Sequence, residues 1–355
     1  MSIKNEIAVN QLKSNRKSNI ELLRIVAMFL ILIYHSVFLK NGIPTPEETN
    51  SQPIETFFDL FLYASAAVGV NVFVLISGWF GIHCKRAHLG NFLFQVLFYF
   101  LIGDLIGCCM GILPLNTQTY IHLFTLSTEY WFVYAYLGLY LFAPILNAYI
   151  EKATSKALRT TLICFFLLQT WYGWFRPQEA PFFYGGHSTI SFVGLYLLAR
   201  YLRLYAQPKV TKSRHFFIAY ICLSLIATTL GFCSLYYAIG HQYTATIFQY
   251  ISPLILLSSL SLFLTFTRMP LPHTPSINRI AISAFSVYLI HTHETFYTYM
   301  ESFIGQLQNK DLAYPMYLLI LLLSLLVVYC LCTCIDQIRL TIWKHIQPLV
   351  TNVRP

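Results

Sequence analysis

An arginine and a histidine share one stripe of the first apolar segment of this chain. Arg24 and His35 are eleven residues apart, so on an α-helix their side chains differ in direction by about 20° and in height by about 16 Å. Ionisable groups inside a membrane are costly to bury and therefore suggest a function. Glu21, one turn before Arg24, is a candidate ion-pair partner. An interfacial arginine that reaches the headgroups, together with a structural histidine, is equally compatible with this spacing.

Composition predicts the elements that would position this stripe. Of the 355 residues, 57% are hydrophobic and only 10% are charged, whereas soluble domains contain about 25% charged residues. The apolar residues form blocks of about the length that crosses a hydrocarbon core, and a backbone in lipid must be helical unless it closes a barrel. We therefore predict an all-α, polytopic integral membrane protein with about ten transmembrane helices. The predicted spans are residues 20–39, 61–80, 90–111, 130–148, 160–175, 184–202, 216–238, 246–266, 281–299 and 315–335.

The charges of the predicted loops place both termini in the cytoplasm. Most basic residues fall on the side of the N-terminus, including Lys85, Arg86 and, in the tail, Arg339. Outer loops contain Lys40, Arg176, Lys310, Glu47, Glu48, Glu55, Asp59, Glu179 and Asp311. This alternation follows the positive-inside rule, which also explains the net charge of +9 without nucleic acid as a partner. We predict a cytoplasmic tail at 1–19, a membrane domain at 20–338, a second cytoplasmic tail at 339–355, and a multi-pass location in the cell membrane.

Other polar residues of the apolar blocks have less obvious roles. Asp104 is a lone acid within the third predicted span, and its partner cannot be named from the sequence. The nine cysteines follow no ligand spacing, so we predict no metal site and interpret most of them as small buried hydrophobic residues. His291 and His293 lie two residues apart within the ninth predicted span. On a helix they would face different sides, so they do not form a paired metal site.

Four segments in order resemble acyltransferase family 3, a family of membrane proteins. The segment ELLRIVAMFLILIYHS at 21–36 contains the arginine and histidine of the family's first helix, at the same spacing. The segment VNVFVLISGWF at 70–80 is similar to its second-helix block. The segments YWFVYAYLGLYLFAPILN at 130–147 and SAFSVYLIHTH at 283–293 are similar to its fourth-helix and C-terminal blocks. The resemblance covers nearly the whole chain.

The resemblance implies a membrane-bound O-acyltransferase. Such proteins take an acyl group, expected here to be acetyl, from acyl-CoA on the cytoplasmic side. They transfer it to a hydroxyl of a polysaccharide, a lipid-linked sugar or a small acceptor of the envelope. Acyl-CoA would be a substrate, and no permanently bound cofactor is expected. His35 and Arg24 would be the catalytic residues, with His35 as the general base. Glu129 stands where many members have histidine, which leaves the role of that position open.

Further candidates follow from position and from the resemblance. Lys85 and Arg86 would hold the phosphates of the donor, and Ser77 and Gly78 would line its site; topology and helix packing are the alternative explanations. The candidate acceptor or cavity residues are Glu129, Trp131, Tyr288 and His291. Two other functions remain open. The chain could be a carrier or flippase for a lipid-linked sugar or small solute, or a non-catalytic subunit of an envelope assembly complex.

Overall fold

The computed structural model describes residues 17–113, 130–176, 181–206, 212–310 and 312–351. For residues 38–41, 241–242 and 349–351 it describes the backbone only. Several residues singled out from the sequence, Glu129 and Asp311 among them, lie outside the described ranges. Within those ranges the chain is helical and contains no β-strand, as predicted.

The helices are numbered α1 to α15 along the described chain. They are α1 (Ser18–Asn41), α2 (Pro46–Ser51), α3 (Pro53–Ala66), α4 (Gly69–Phe80), α5 (Arg86–Cys109), α6 (Trp131–Lys152), α7 (Ser155–Leu168), α8 (Thr189–Leu204), α9 (Ser213–Tyr236), α10 (His241–Ile247), α11 (Pro253–Thr267), α12 (Pro275–Ile282), α13 (Ala284–His291), α14 (Glu294–Gln308) and α15 (Tyr314–Thr351). A π-helical segment at Gln169–Phe175 follows α7, and a short 3₁₀ turn at Tyr184–Gly186 precedes α8.

Six segments of the described chain are long and apolar enough to cross a membrane. They are α1, the continuous pair α3–α4, α5, α6, α9 and α15. They coincide with six of the ten predicted spans. The other four predicted spans are helical but shorter or interrupted, so the count of ten and the orientation of the termini stay predictions.

Helix α1 lies at the centre of the bundle, where it contacts α3, α4, α12 and α13. Leu23, Ala27 and Leu32 are completely buried. Close packing depends on Gly69 at the start of α4, because a Cβ there would lie 2.8 Å from the carbonyl oxygen of Ala27. Helix α1 is therefore closely packed against α4 at this point.

The predicted span at 281–299 is not one continuous helix. It divides into α13 and α14 at Thr292 and His293, and His293 has an extended backbone conformation. The side-chain Nδ1 of His293 accepts a hydrogen bond from the backbone N–H of Thr295 at 3.3 Å and so caps α14. The break places His291 and His293 at a helix junction rather than on one helix.

Two other expectations differ from the structure. Most cysteines are not buried: Cys332 is buried, whereas Cys84, Cys109, Cys164, Cys222, Cys330 and Cys334 are exposed on the bundle surface. Cysteine is apolar enough to face lipid, so burial against protein is not required.

Arg339 is also not a solvated tail charge, because α15 continues through it to Thr351. Its guanidinium is buried against the buried carboxylate of Asp336, at 2.5 Å. Asp336 also accepts hydrogen bonds from Tyr99 of α5, at 2.7 Å, and from Ser286 of α13. This network joins α5, α13 and α15.

Candidate active site

The imidazoles of His35 and His291 are in direct contact in the interior of the bundle. His35 Nδ1 lies 2.9 Å from His291 Nε2, although the two residues are 256 positions apart. The residues are 6% and 3% exposed. Helix α1 presents His35, and His291 is the last residue of α13. The structure thus joins a predicted catalytic residue to a predicted cavity residue.

The hydrogen bonds assign a tautomer to each ring. His291 Nδ1 lies 2.6 Å from the carbonyl oxygen of Val287. A carbonyl can only accept, so this nitrogen bears the proton. With His291 neutral, its Nε2 accepts, and His35 Nδ1 must donate. The Nε2 of His35 is then left with an unshared electron pair, which is the form that a general base requires.

A narrow cavity lies beside His35. Its volume of about 10 Å³ is close to the minimum that holds one water molecule. Four helices contribute to its wall. The lining residues are Met28, Ile31, His35, Val70, Phe73, Trp131, Phe132, Phe285 and Tyr288. Trp131 and Tyr288, both predicted as cavity residues, therefore lie at the same cavity as His35.

Arg24 lies lower on the same stripe of α1, below Met28 and Ile31. Its guanidinium Nη1 is 2.8 Å from Oε2 of Glu21, which confirms the predicted ion pair. Arg24 also acts electrostatically on Tyr136 of α6. The hydroxyl of Tyr136 is 3.2 Å from the hydroxyl of Ser77. Ser77 is thus near the arginine end of the stripe.

A series of aromatic rings in contact connects Tyr136 with His35; we call these rings the aromatic column. The column consists of Tyr136, Phe92, Phe285, Phe132 and Tyr288. Phe92 lies between Tyr136 and Phe285, with ring centroids 5.7 and 5.4 Å away. Phe285 stacks on Tyr288 at 5.9 Å, and the Tyr288 ring is 6.3 Å from that of His35. The column connects the two polar ends of the stripe through an apolar environment.

The predicted donor residues have different surroundings: some are exposed and others are packed between helices. Lys85 and Arg86 are exposed at the start of α5 and contact neither histidine. Gly78 is explained by packing, because a Cβ there would lie 2.7 Å from the Tyr196 carbonyl oxygen of α8. On the same helix, the Arg203 guanidinium lies 4.8 Å above the ring of Trp79, which places a further cation near the end of α4.

The sequence interpretation missed an aromatic wall on the other side of Trp131. The His187 ring lies 4.3 Å from that of Trp131 and 4.8 Å from that of Tyr250. His187 is half-buried, and its Nδ1 lies 3.1 Å from the carbonyl oxygen of Tyr184. Gly186 makes this contact possible, since it has φ +104° and a Cβ there would lie 2.6 Å from Tyr250. The Gly-Gly-His sequence at 185–187 was a usable signal for this wall.

Asp104 has its partner in His293, whose Nε2 is 3.3 Å from Asp104 Oδ1. A Cβ at Gly103 would collide with the His293 ring. This contact joins α5 to the start of α14, close to the histidine pair.

A family model describing an acyltransferase domain, that of acyltransferase family 3, matches residues 17–335. The chain belongs to acyltransferase family 3. Membership indicates a multi-pass membrane protein that transfers an acyl group to a hydroxyl acceptor. No curated protein and no solved structure matches the chain.

Proposed function

We propose that this family 3 protein transfers an acyl group, expected to be acetyl, from acyl-CoA on the cytoplasmic side to a hydroxyl of a sugar or another envelope acceptor in the cell membrane. The observation that carries the proposal is the hydrogen-bonded chain from Val287 through His291 to His35. It leaves one basic nitrogen, Nε2 of His35, on a residue that lines a cavity. An alcohol is a weak nucleophile at neutral pH, and a positioned histidine is the usual general base.

The reaction then needs no other proton carrier. The acceptor oxygen attacks the thioester carbonyl carbon while His35 Nε2 takes the hydroxyl proton. The tetrahedral intermediate collapses, the carbon–sulfur bond breaks, and the coenzyme A thiolate receives the proton from the imidazolium. In an alternative order, His35 Nε2 first attacks the thioester carbonyl and the coenzyme A thiolate leaves. The acceptor hydroxyl then attacks the acyl-imidazole, which frees Nε2, and the hydroxyl proton passes to the thiolate. In both orders His291 is a positioning residue that holds the tautomer.

The donor would reach His35 along the aromatic column. Arg24 is about 16 Å below His35 on the same face of α1, so it does not touch the reacting atoms and would line the donor's path. The pantetheine arm of coenzyme A is long, thin and mostly uncharged, which suits an apolar passage. Its phosphates would remain near the exposed cations Lys85 and Arg86, with Arg203 nearby, because phosphate binds cationic donors strongly.

Release of free coenzyme A tests this proposal against a carrier or flippase. Purified protein in nanodiscs receives acetyl-CoA and an envelope glycan fraction from cells that lack the gene, and free thiol is followed with time. We expect thiol release that requires both substrates and an acylated glycan detected by mass spectrometry. For the substitution His35→Ala in this assay, His345→Ala is the matched control, since His345 is exposed near the end of α15. Transport of the glycan without thiol release would refute acyl transfer.

A further inference from the structure

A second, larger cavity opens near the end of α1 beyond His35. Its volume is about 530 Å³, within the roughly 300–1,000 Å³ of small-molecule sites. Helices α2 and α3, the end of α14 and the start of α15 form its walls. Val37, two residues after His35, also lines it, and on a helix the Cα atoms of such residues are about 5 Å apart. The cavity therefore lies against the helix that carries the catalytic histidine.

The polar lining of this outer cavity is mainly acidic. Its charged lining residues in the described part of the chain are Glu48, Glu55, Asp59 and Lys310, which give a formal charge of −2 (three carboxylates and one ammonium). The carboxylate of Asp59 accepts a hydrogen bond from the Tyr314 hydroxyl at 2.6 Å. Carboxylates, which only accept, bind hydroxyl and ammonium donors strongly. They repel phosphate and carboxylate groups of a ligand.

A hydroxyl that faces the cavity gives an independent indication of a ligand. Thr56 lines the cavity and is only 4% exposed. Its backbone N–H is bonded to Gln52, but its side-chain hydroxyl has no hydrogen-bond partner among the residues that the structure describes. This side chain is almost entirely buried and lines the cavity, so its hydroxyl is available to bond a polar ligand there.

We propose that this outer cavity binds a polyhydroxyl ligand that is uncharged or carries an amine, such as a hexose or a hexosamine, and that it rejects phosphorylated or carboxylated sugars. Hydroxyls would donate to Glu55 and Asp59, and Thr56 would bond within the site. Apolar lining residues such as Leu307 suit the less polar face of a sugar ring. The role of this ligand as the acyl acceptor rests on the proposed function, whereas its binding does not.

Thiol labelling of a cysteine placed in the cavity tests the proposal. Gln308 lines the cavity and is exposed, so Gln308→Cys in an otherwise cysteine-free protein is the reporter, in nanodiscs. D-glucose and D-glucosamine are expected to slow its reaction with a neutral maleimide several-fold, and D-glucose 6-phosphate is not. A cationic thiol reagent should also react faster than an anionic one. Equal protection by the phosphorylated sugar, or no protection by any of the three, would overturn the proposal.

Substitutions of lining residues in the Gln308→Cys reporter protein test which side chains bind the sugar. Thr56→Val keeps the shape and removes the hydroxyl, and Glu55→Gln removes one charge; each is expected to reduce protection at least threefold. Glu47→Gln is the matched control, because Glu47 is an exposed acid of α2 that does not line the cavity. Protection that is unchanged in both test variants would contradict the assignment.

Protection is expected to persist in a His35→Ala protein. Protection without coenzyme A release in the unmodified enzyme would leave the binding site standing and refute acyl transfer. Coenzyme A release without protection would support acyl transfer and refute the sugar-binding site.

Discussion

His291 and His293 lie two residues apart on either side of one helix break, and their surroundings give them different chemistry. His291 donates from Nδ1 to a carbonyl of its own helix and turns Nε2 to another histidine, His35. His293 caps α14 through Nδ1 and turns Nε2 to a carboxylate, Asp104. The first pair leaves an unshared electron pair on His35, whereas the second is an internal tie between two helices. The partners of a buried histidine, rather than its position in a motif, decide whether it can serve catalysis.

Among the substitutions that test this comparison, removal of His35 should have the largest effect on turnover. General-base catalysis contributes about 10²–10⁴-fold, so His35→Ala is expected to lower turnover by roughly that factor while donor binding is retained. Turnover is measured with purified protein in nanodiscs, and donor binding separately by calorimetry with a non-hydrolysable acyl-CoA analogue. Turnover near that of the unmodified enzyme, in a well-folded variant, would exclude His35 as the base.

Replacing His291 should have the next largest effect, through the orientation of His35. A small misplacement of a catalytic group can reduce the rate by about 10²-fold, so His291→Ala is expected to lower kcat by roughly 10–100-fold with little change in KM for either substrate. His291→Gln should recover part of this loss, because its amide oxygen can accept from His35 Nδ1. Equal losses for Ala and Gln, with unchanged thermal stability, would contradict the assigned tautomers.

Replacing His293 should mainly affect stability. His293→Ala removes the cap of α14 and leaves Asp104 without its imidazole, a change of about 1–3 kcal/mol in the free energy of unfolding. We expect a lower Tm in detergent but turnover within a few-fold of the unmodified enzyme. His293→Asn should restore part of the Tm, since asparagine is a good N-cap residue. A loss of turnover as large as that of His35→Ala, at unchanged Tm, would place His293 in the chemistry.

Local spacing predicted one half of the site and tertiary packing determined the other. The pairing of Glu21 with Arg24 and the common face of Arg24 and His35 follow from helix periodicity alone. The contact between His35 and His291 joins residues 256 positions apart, so no local pattern contains it. The break at His293 could not be predicted either, because the block at 281–299 contains neither proline nor glycine and has the pattern of one apolar span.

The same division applies to the fold. Apolar block length correctly predicted an all-helical membrane protein, because lipid leaves the backbone little alternative. It could not distinguish a continuous span from two helices that meet within the bundle. Asp336 was overlooked for a different reason: it lies beyond the end assigned to the last span, where a charge is ordinary. Its burial depends on α5 and α13, which the sequence does not place beside it.

The smallest expected effect concerns His187, a third histidine, whose half-buried ring packs against the aromatic rings of Trp131 and Tyr250. Contacts between aromatic rings contribute about 0.5–1.5 kcal/mol beyond the burial of surface, so His187→Ala is expected to lower the free energy of unfolding by roughly that amount with turnover unchanged. His187→Phe retains the ring contacts and should lose less. Thermal unfolding in detergent measures the difference, with exposed His345→Ala as the control. Equal Tm values for His187→Ala and the unmodified protein would show that the aromatic wall does not depend on His187.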